Sequence, residues 1–248
     1  MRPTRLARQA LAEFLGSAGL VTVVIGSGIA AQRLSPDDVG LQLLENALAT
    51  GAGLVALILA FGPVSGGHFN PVVTLADRCF GGVSDRQVAG YLPAQLSGGA
   101  VGAVVANLMF DLPAVSLSGT DRAGGGRWLS EAVATFGLVV LVFALVRAGR
   151  TAMAPFAVGA YITAAYWWSS STSFANPMID LARTLSDTFA GIAPASVPMF
   201  LLMQLVGGAA AVAVVALLYP EIPAVADAVV VPHDGTHDPA GRPVPEES

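Results

Sequence analysis

Two stretches decide the architecture: Ser65-Gly66-Gly67-His68-Phe69-Asn70-Pro71-Val72 continuing to Leu75-Ala76, and Ser171-Thr172-Ser173-Phe174-Ala175-Asn176-Pro177-Met178 continuing at the same spacing to Leu181-Ala182. A residue before proline avoids helical geometry, and proline suits the first helical position. Each Asn-Pro therefore reads as an N-cap followed by N1. The spacing predicts a helix from Asn70-Pro71 to about Arg78, which rises roughly 12 Å and covers nearly half of a hydrocarbon core. One isolated Asn-Pro would be no more than a helix start in a loop. Two copies at matching positions point to a site.

Outward from these stretches the chain repeats itself. Glu13 leads after five residues to Gly19-Leu20-Val21, and Glu131 leads after five to Gly137-Leu138-Val139. Gln95-Leu96-Ser97-Gly98-Gly99-Ala100 returns as Gln204-Leu205-Val206-Gly207-Gly208-Ala209. Apolar runs fall at about Leu11 to Ala31, Leu43 to Phe61, Val88 to Phe110, Leu129 to Val146, Met153 to Trp168 and Val197 to Leu218, each near the length that spans a bilayer. Each half, about 8–110 and 127–220, thus holds three spans and one Asn-Pro loop. Three is odd, so the second half enters the membrane in the opposite sense. Inverted repeats place their functional site near the midplane, where discontinuous helices aim their ends at the solute.

Composition agrees with a membrane protein. The 248 residues are 54% hydrophobic and 12% charged, about half the charge of soluble domains, with mean hydropathy +0.67. Net charge is −5 and every basic residue is an arginine, scattered along the chain. No basic stripe exists for a nucleic-acid backbone. Cys79 is the single cysteine, which excludes an internal disulfide or a cysteine metal cluster. Arg2, Arg5 and Arg8 before the first apolar run resemble a secretory leader, but similar runs follow throughout, so the segment reads as the first span. With the N-terminus cytoplasmic, eight arginines lie inside and four outside, in keeping with the positive-inside rule. Residues 1–222 read as one channel domain. Residues 223–248, rich in Pro, Asp and Glu, read as a disordered cytoplasmic tail; its His233 and His237 form a weak metal ligand set, and neither a metal nor a cofactor is expected.

The loops carry the chemistry. Two helix N-termini, each with about half a positive charge, would meet at the bilayer centre and repel cations. An asparagine whose carbonyl oxygen is held by the backbone can turn its amide N–H toward a passing hydroxyl. Irregular backbone at this depth requires a protein-lined or wet surrounding.

Ser65 to Val72 resembles the first signature loop of aquaporins and aquaglyceroporins, whose usual triplet is Asn-Pro-Ala, and the resemblance covers roughly residues 8–220. It implies an all-α membrane protein in the hourglass fold, with six transmembrane helices, two re-entrant half-helices, one pore per subunit and four subunits. It implies that Asn70 and Asn176 stand at the pore midplane. Glu13 and Glu131 match the family's buried glutamates, which accept hydrogen bonds from the irregular backbone, and His68 matches its loop-supporting histidine.

The chain departs from the family where selectivity is set. Alanine of the triplet becomes Val72 in the first loop and Met178 in the second, and the arginine normally following the second triplet is Ile179. Carried over by spacing, Thr50 takes the span-two position of the constriction and Ser173 the loop position. At the span-five position, aligning the helix gives Tyr166 and counting back from Asn176 gives Ala164. Thr50, Tyr166, Ser173 and Ile179 would form a wider, neutral, hydroxyl-bearing ring that replaces part of a polyol's hydration. Asp180 either matches an aspartate of glycerol facilitators or acts as a first-turn acid. Arg183, one turn beyond Ile179, either replaces part of the lost charge or, the reading its distance favours, anchors an outer loop. The segments from Trp167 to Pro177 and from Leu185 to Ile192 resemble a bacterial aquaglyceroporin subgroup associated with arsenic resistance, and As(OH)₃ is a compact neutral polyol mimic.

The expected function is passive flow of small uncharged solutes, glycerol-like polyols and arsenite with water, and not an enzymatic one. A water-selective pore and a secondary active transporter are the alternatives, along with a non-conducting homologue plugged by Met178 and Tyr166. The expected partners are small neutral solutes, the lipid bilayer and three further copies in a homotetramer.

Overall fold

The computed structural model describes residues 4–220, and all regular structure among them is helical. In chain order the helices are α1 (Arg5–Leu34), α2 (Val39–Ser65), α3 (Pro71–Phe80), α4 (Asp85–Met109), α5 (Gly125–Arg147), α6 (Ala154–Trp168), α7 (Pro177–Arg183) and α8 (Val197–Leu218). The six long apolar runs are α1, α2, α4, α5, α6 and α8, and the Asn-Pro stretches open α3 and α7. The chain is a multi-pass membrane protein. The tail read at 223–248 lies outside the described residues.

Five of the six long helices reach the length and apolarity needed to cross a bilayer. The exception, α6, has 15 residues and rises only about 22 Å. A 3₁₀ turn, Thr151–Met153, precedes it. It stops where the apolar run gives way to Ser169-Ser170-Ser171-Thr172. There the Ser169 hydroxyl donates back to the Ala165 carbonyl at 2.7 Å, offering the backbone an alternative to another helical turn. At the other half-helix, α3 runs two residues past Arg78, to Phe80, because Gly81 adopts the left-handed geometry (φ 88°) that closes a helix.

The two halves pack alike. Helix α1 lies against α4, and α5 against α8. A Cβ at Gly98 would strike the Phe14 carbonyl, and one at Gly207 the Ala132 carbonyl. Phe14 and Ala132 directly follow Glu13 and Glu131, so the same glycine lets the same backbone approach in each half. Leu11, Leu48, Phe156, Trp167 and Leu202 face outward, as a surface in contact with lipid requires.

Candidate functional site

The loops before α3 and α7 meet and lock. Asn70 caps α3 by accepting the Val72 N–H at 2.9 Å, and Asn176 caps α7 by accepting the Met178 N–H at 3.0 Å. Their amide nitrogens then cross between the halves. Asn70 Nδ2 donates to the Ala175 carbonyl at 2.8 Å, and Asn176 Nδ2 donates to the Phe69 carbonyl at 2.8 Å. A primary amide has two N–H donors, so one holds the opposite half-helix and the other is left for the cavity that both asparagines border. The accepting residues, Phe69 and Ala175, hold positive φ of 46° and 48°, a sparsely populated geometry for residues with a side chain.

Buried acids hold these loops. Glu13 accepts the His68 and Phe69 N–H groups at 3.0 and 2.8 Å, the Ser65 hydroxyl at 2.6 Å and Gln95 Nε2 at 2.8 Å. Glu131 accepts the Phe174 and Ala175 N–H groups at 2.9 and 2.8 Å and Gln204 Nε2 at 2.6 Å. Each glutamine continues to the side chain four residues beyond its asparagine: Gln95 to Thr74 at 2.9 Å, Gln204 to Asp180 at 3.2 Å. Asp180 thus turns toward α8 and lies outside the cavity wall. The sequence reading gave the glutamines no role, although the repeat placed them at equivalent positions, as it did the glutamates. His68 meets the Thr74 hydroxyl through Nδ1 at 3.0 Å and lies 3.5 Å from Asp77 through Nε2, while its ring borders the cavity.

Thr50, Tyr166, Ser173 and Ile179 border the same cavity as Asn70 and Asn176, and Ala164 is not among its wall residues. The free space is about 60 Å³, above the roughly 10–15 Å³ that a cavity needs to hold a water. The ring's hydroxyls are not equivalent. Thr50 and Tyr166 bond to each other at 3.2 Å, while Ser173 Oγ has no hydrogen-bond partner among the described residues. The wall is mostly aliphatic, with Leu20, Leu138, Val142 and Ile162 in it.

Two sequence expectations change here. Met178 packs on Gly99 and Val72 on Gly208. Neither borders the cavity, so a plug formed by Met178 has no basis. The glycines of α4 and α8 receive the bulk that departs from the family's alanine. The second change concerns Arg183, which is only 3% exposed and borders the cavity. Its guanidinium lies 3.6 Å from the Phe174 ring centroid, and its Nε donates to the Ala190 carbonyl. It therefore holds the loop that follows α7 and borders the cavity as well. Arg122, from the loop between α4 and α5, grips the neighbouring carbonyls: Nε donates to Gly191 at 2.8 Å and Nη2 to Phe189 at 3.3 Å. In the same loop Asp121 sits below the usual carboxylate range, chiefly because it accepts the Ala123 N–H and then the Ser196 hydroxyl.

Comparison with known proteins follows the geometry. A family model described as major intrinsic protein matches residues 1–185. Aquaglyceroporin AqpS of Rhizobium meliloti (strain 1021) is 47% identical over 224 residues, covering 90% of this chain and 95% of the relative. Aquaporin NIP2-2 of Zea mays is 30% identical over 198 residues, covering 77% of this chain and 66% of the relative. Among solved structures, the aquaglyceroporin from Plasmodium falciparum superposes with a TM-score of 0.66 at 18% identity, covering 88% of this chain and 98% of that one, a likeness of fold. With its crossed asparagines, paired glutamates and inverted halves, the chain belongs to the major intrinsic protein family.

Proposed function

We propose that this protein is a passive channel for small uncharged solutes, conducting glycerol-like polyols and arsenite as As(OH)₃ together with water. The observation that supports this most directly is the cavity wall. Ile179 stands where the family carries its constriction arginine, and Thr50, Tyr166 and Ser173 line the same space with neutral groups. A solute crossing a low-dielectric wall must replace its hydration step by step. Asn70 and Asn176 each have one N–H left to offer, Ser173 offers a hydroxyl, and the aliphatic wall suits a solute's carbon face. In this reading Glu13, Glu131 and His68 support the loops, and no bond is made or broken. The two half-helix N-termini oppose protons and cations at the centre. Four copies assemble in the cell membrane, with both termini cytoplasmic.

The test is reconstitution into liposomes with stopped-flow light scattering for water, glycerol, urea and As(OH)₃, alongside Ile179→Arg. The wild type should pass glycerol and arsenite, and the variant should keep water while losing the larger solutes. A wild type that passes water alone refutes the reading.

A further inference from the structure

Resting on this channel reading, we infer that Arg183 supplies the charge selectivity of the outer pore, one helical turn outward of the neutral ring, and makes that mouth a filter that admits acceptor-bearing neutral solutes and excludes cations. The position has a repeat counterpart. Arg183 follows Asn176 by seven residues, as Asp77 follows Asn70, so equivalent positions of the two half-helices carry opposite charges. Asp77 lies near His68 on its own half. Arg183 has no described carboxylate within ion-pair distance; Asp180 and Glu131 reach it only through space, and Gln204 bonds to both of them.

An arginine at membrane depth without an ionic partner is costly, and such residues mark solute pathways. Nε is spent on the Ala190 carbonyl, and the face of the guanidinium on Phe174. No described acceptor takes the two terminal amino groups, although the side chain borders the cavity. Those groups, with the unpartnered Ser173 hydroxyl in the same wall, leave a donor pair and a fixed positive charge for whatever passes. Carbonyl, hydroxyl and oxo oxygens accept from them. A cation meets a like charge that no direct ion pair neutralises, between low-dielectric walls, where repulsion is strongest. The neighbouring Arg122 does different work: its donors go to the Gly191 and Phe189 carbonyls, and it does not border the cavity.

Urea and guanidinium test this, because they share shape and size and differ in a carbonyl oxygen against a charged nitrogen. Uptake of each labelled probe into sealed proteoliposomes is followed with the potential clamped by potassium and valinomycin. Wild type, Arg183→Gln, Arg183→Lys and Arg122→Gln are compared. Arg183→Gln should raise guanidinium uptake about tenfold or more, while Arg183→Lys and Arg122→Gln stay as tight as wild type. An Arg183→Gln protein that remains tight overturns the inference, as does an Arg122→Gln protein that leaks equally, since loop anchoring would then be the cause. If Arg183→Gln does not assemble, Arg183→Lys decides: tightness with charge kept but the Ala190 bond disturbed supports the inference, and leakage overturns it. Wild type that passes no urea refutes the solute reading alone, because the guanidinium comparison still reads the charge.

Discussion

Asn70 and Asn176 each donate to the carbonyl that precedes the other, at 2.8 Å in both directions. The junction of the two half-helices is therefore a closed exchange of hydrogen bonds between the inverted repeats. Each asparagine also caps its own helix, so one side chain serves a local and a long-range partner at once.

Replacing Asn176 with Ala removes an N-cap, worth about 0.5–2 kcal/mol, and leaves the buried Phe69 carbonyl without a donor, worth about 1–3 kcal/mol. Asn176→Ala should lower stability by roughly 1.5–5 kcal/mol on those two terms. Adding Asn70→Ala should cost less than a second full increment, because both bonds belong to one joint. Thermal unfolding of the detergent-solubilised single and double variants checks this; full additivity would mean that the two bonds act independently.

Glu13 and Glu131 satisfy loop N–H groups that have no water to turn to. Glu13→Ala orphans the His68 and Phe69 amides, at about 1–3 kcal/mol each, and should abolish the monodisperse peak on size exclusion. Recovery of native-like protein in normal yield would contradict the support role.

Gly208→Ala drives a methyl into Val72, and Gly99→Ala drives one into Met178. Overpacking costs about 1–3 kcal/mol, with the smaller loss expected at Gly99 because methionine can re-route. Val72→Ala combined with Gly208→Ala should restore most of the lost stability. A double variant less stable than Gly208→Ala alone would show that Val72 does not occupy that groove.

Tyr166→Ala opens the side of the ring closed by the Thr50–Tyr166 bond. The glycerol-to-water permeability ratio should rise, on the order of tenfold if the ring dominates a barrier lowered by about 1.4 kcal/mol. Because it is a ratio, it does not depend on how much protein is folded. An unchanged ratio places the narrowest point elsewhere.

Asp121 ties the loop between α4 and α5 to Ser196. Its folded value lies below its unfolded one, so its contribution is present above the unfolded value, about pH 4, and fades as pH falls through the folded value. Amide exchange around 118–123, corrected for intrinsic rates, should quicken over that acid range. Asp121→Asn should show the quicker exchange already at neutral pH, and no difference there would remove the tether.

Much of this was legible because the repeat is written in polar residues that have few reasons to lie in a membrane. Glu13 with Glu131 and Asn70 with Asn176 identify the two loops before any helix is placed. The fate of side chains around a half-helix was harder to read. Ile179 and Asp180 are neighbours in sequence, yet one borders the cavity and the other meets Gln204; helical spacing gives relative angles, and only the packing of α4 and α8 fixes which angle faces the pore. A plug containing Met178 was open as an alternative because its bulk is visible in sequence and the receiving groove at Gly99 is not. Arg183 borders the cavity while its Nε is held by the Ala190 carbonyl, a combination set by the loop after α7 and not by helical spacing. The shortness of α6 was visible only as a miscount, since serine and threonine beside an apolar run do not say where the helix stops.

The crossed asparagines also bear on how the chain is made. Asn70 and the Ala175 carbonyl are 105 residues apart, which at 5–20 residues per second is roughly 5–20 s of synthesis. Throughout that interval the first re-entrant segment has its anchor on a part of the chain not yet translated. The nascent first half must therefore wait with an unfilled amide and an unfilled carbonyl at the depth where neither is tolerated in lipid. Until the second half arrives, the insertion machinery or trapped water has to stand in for it.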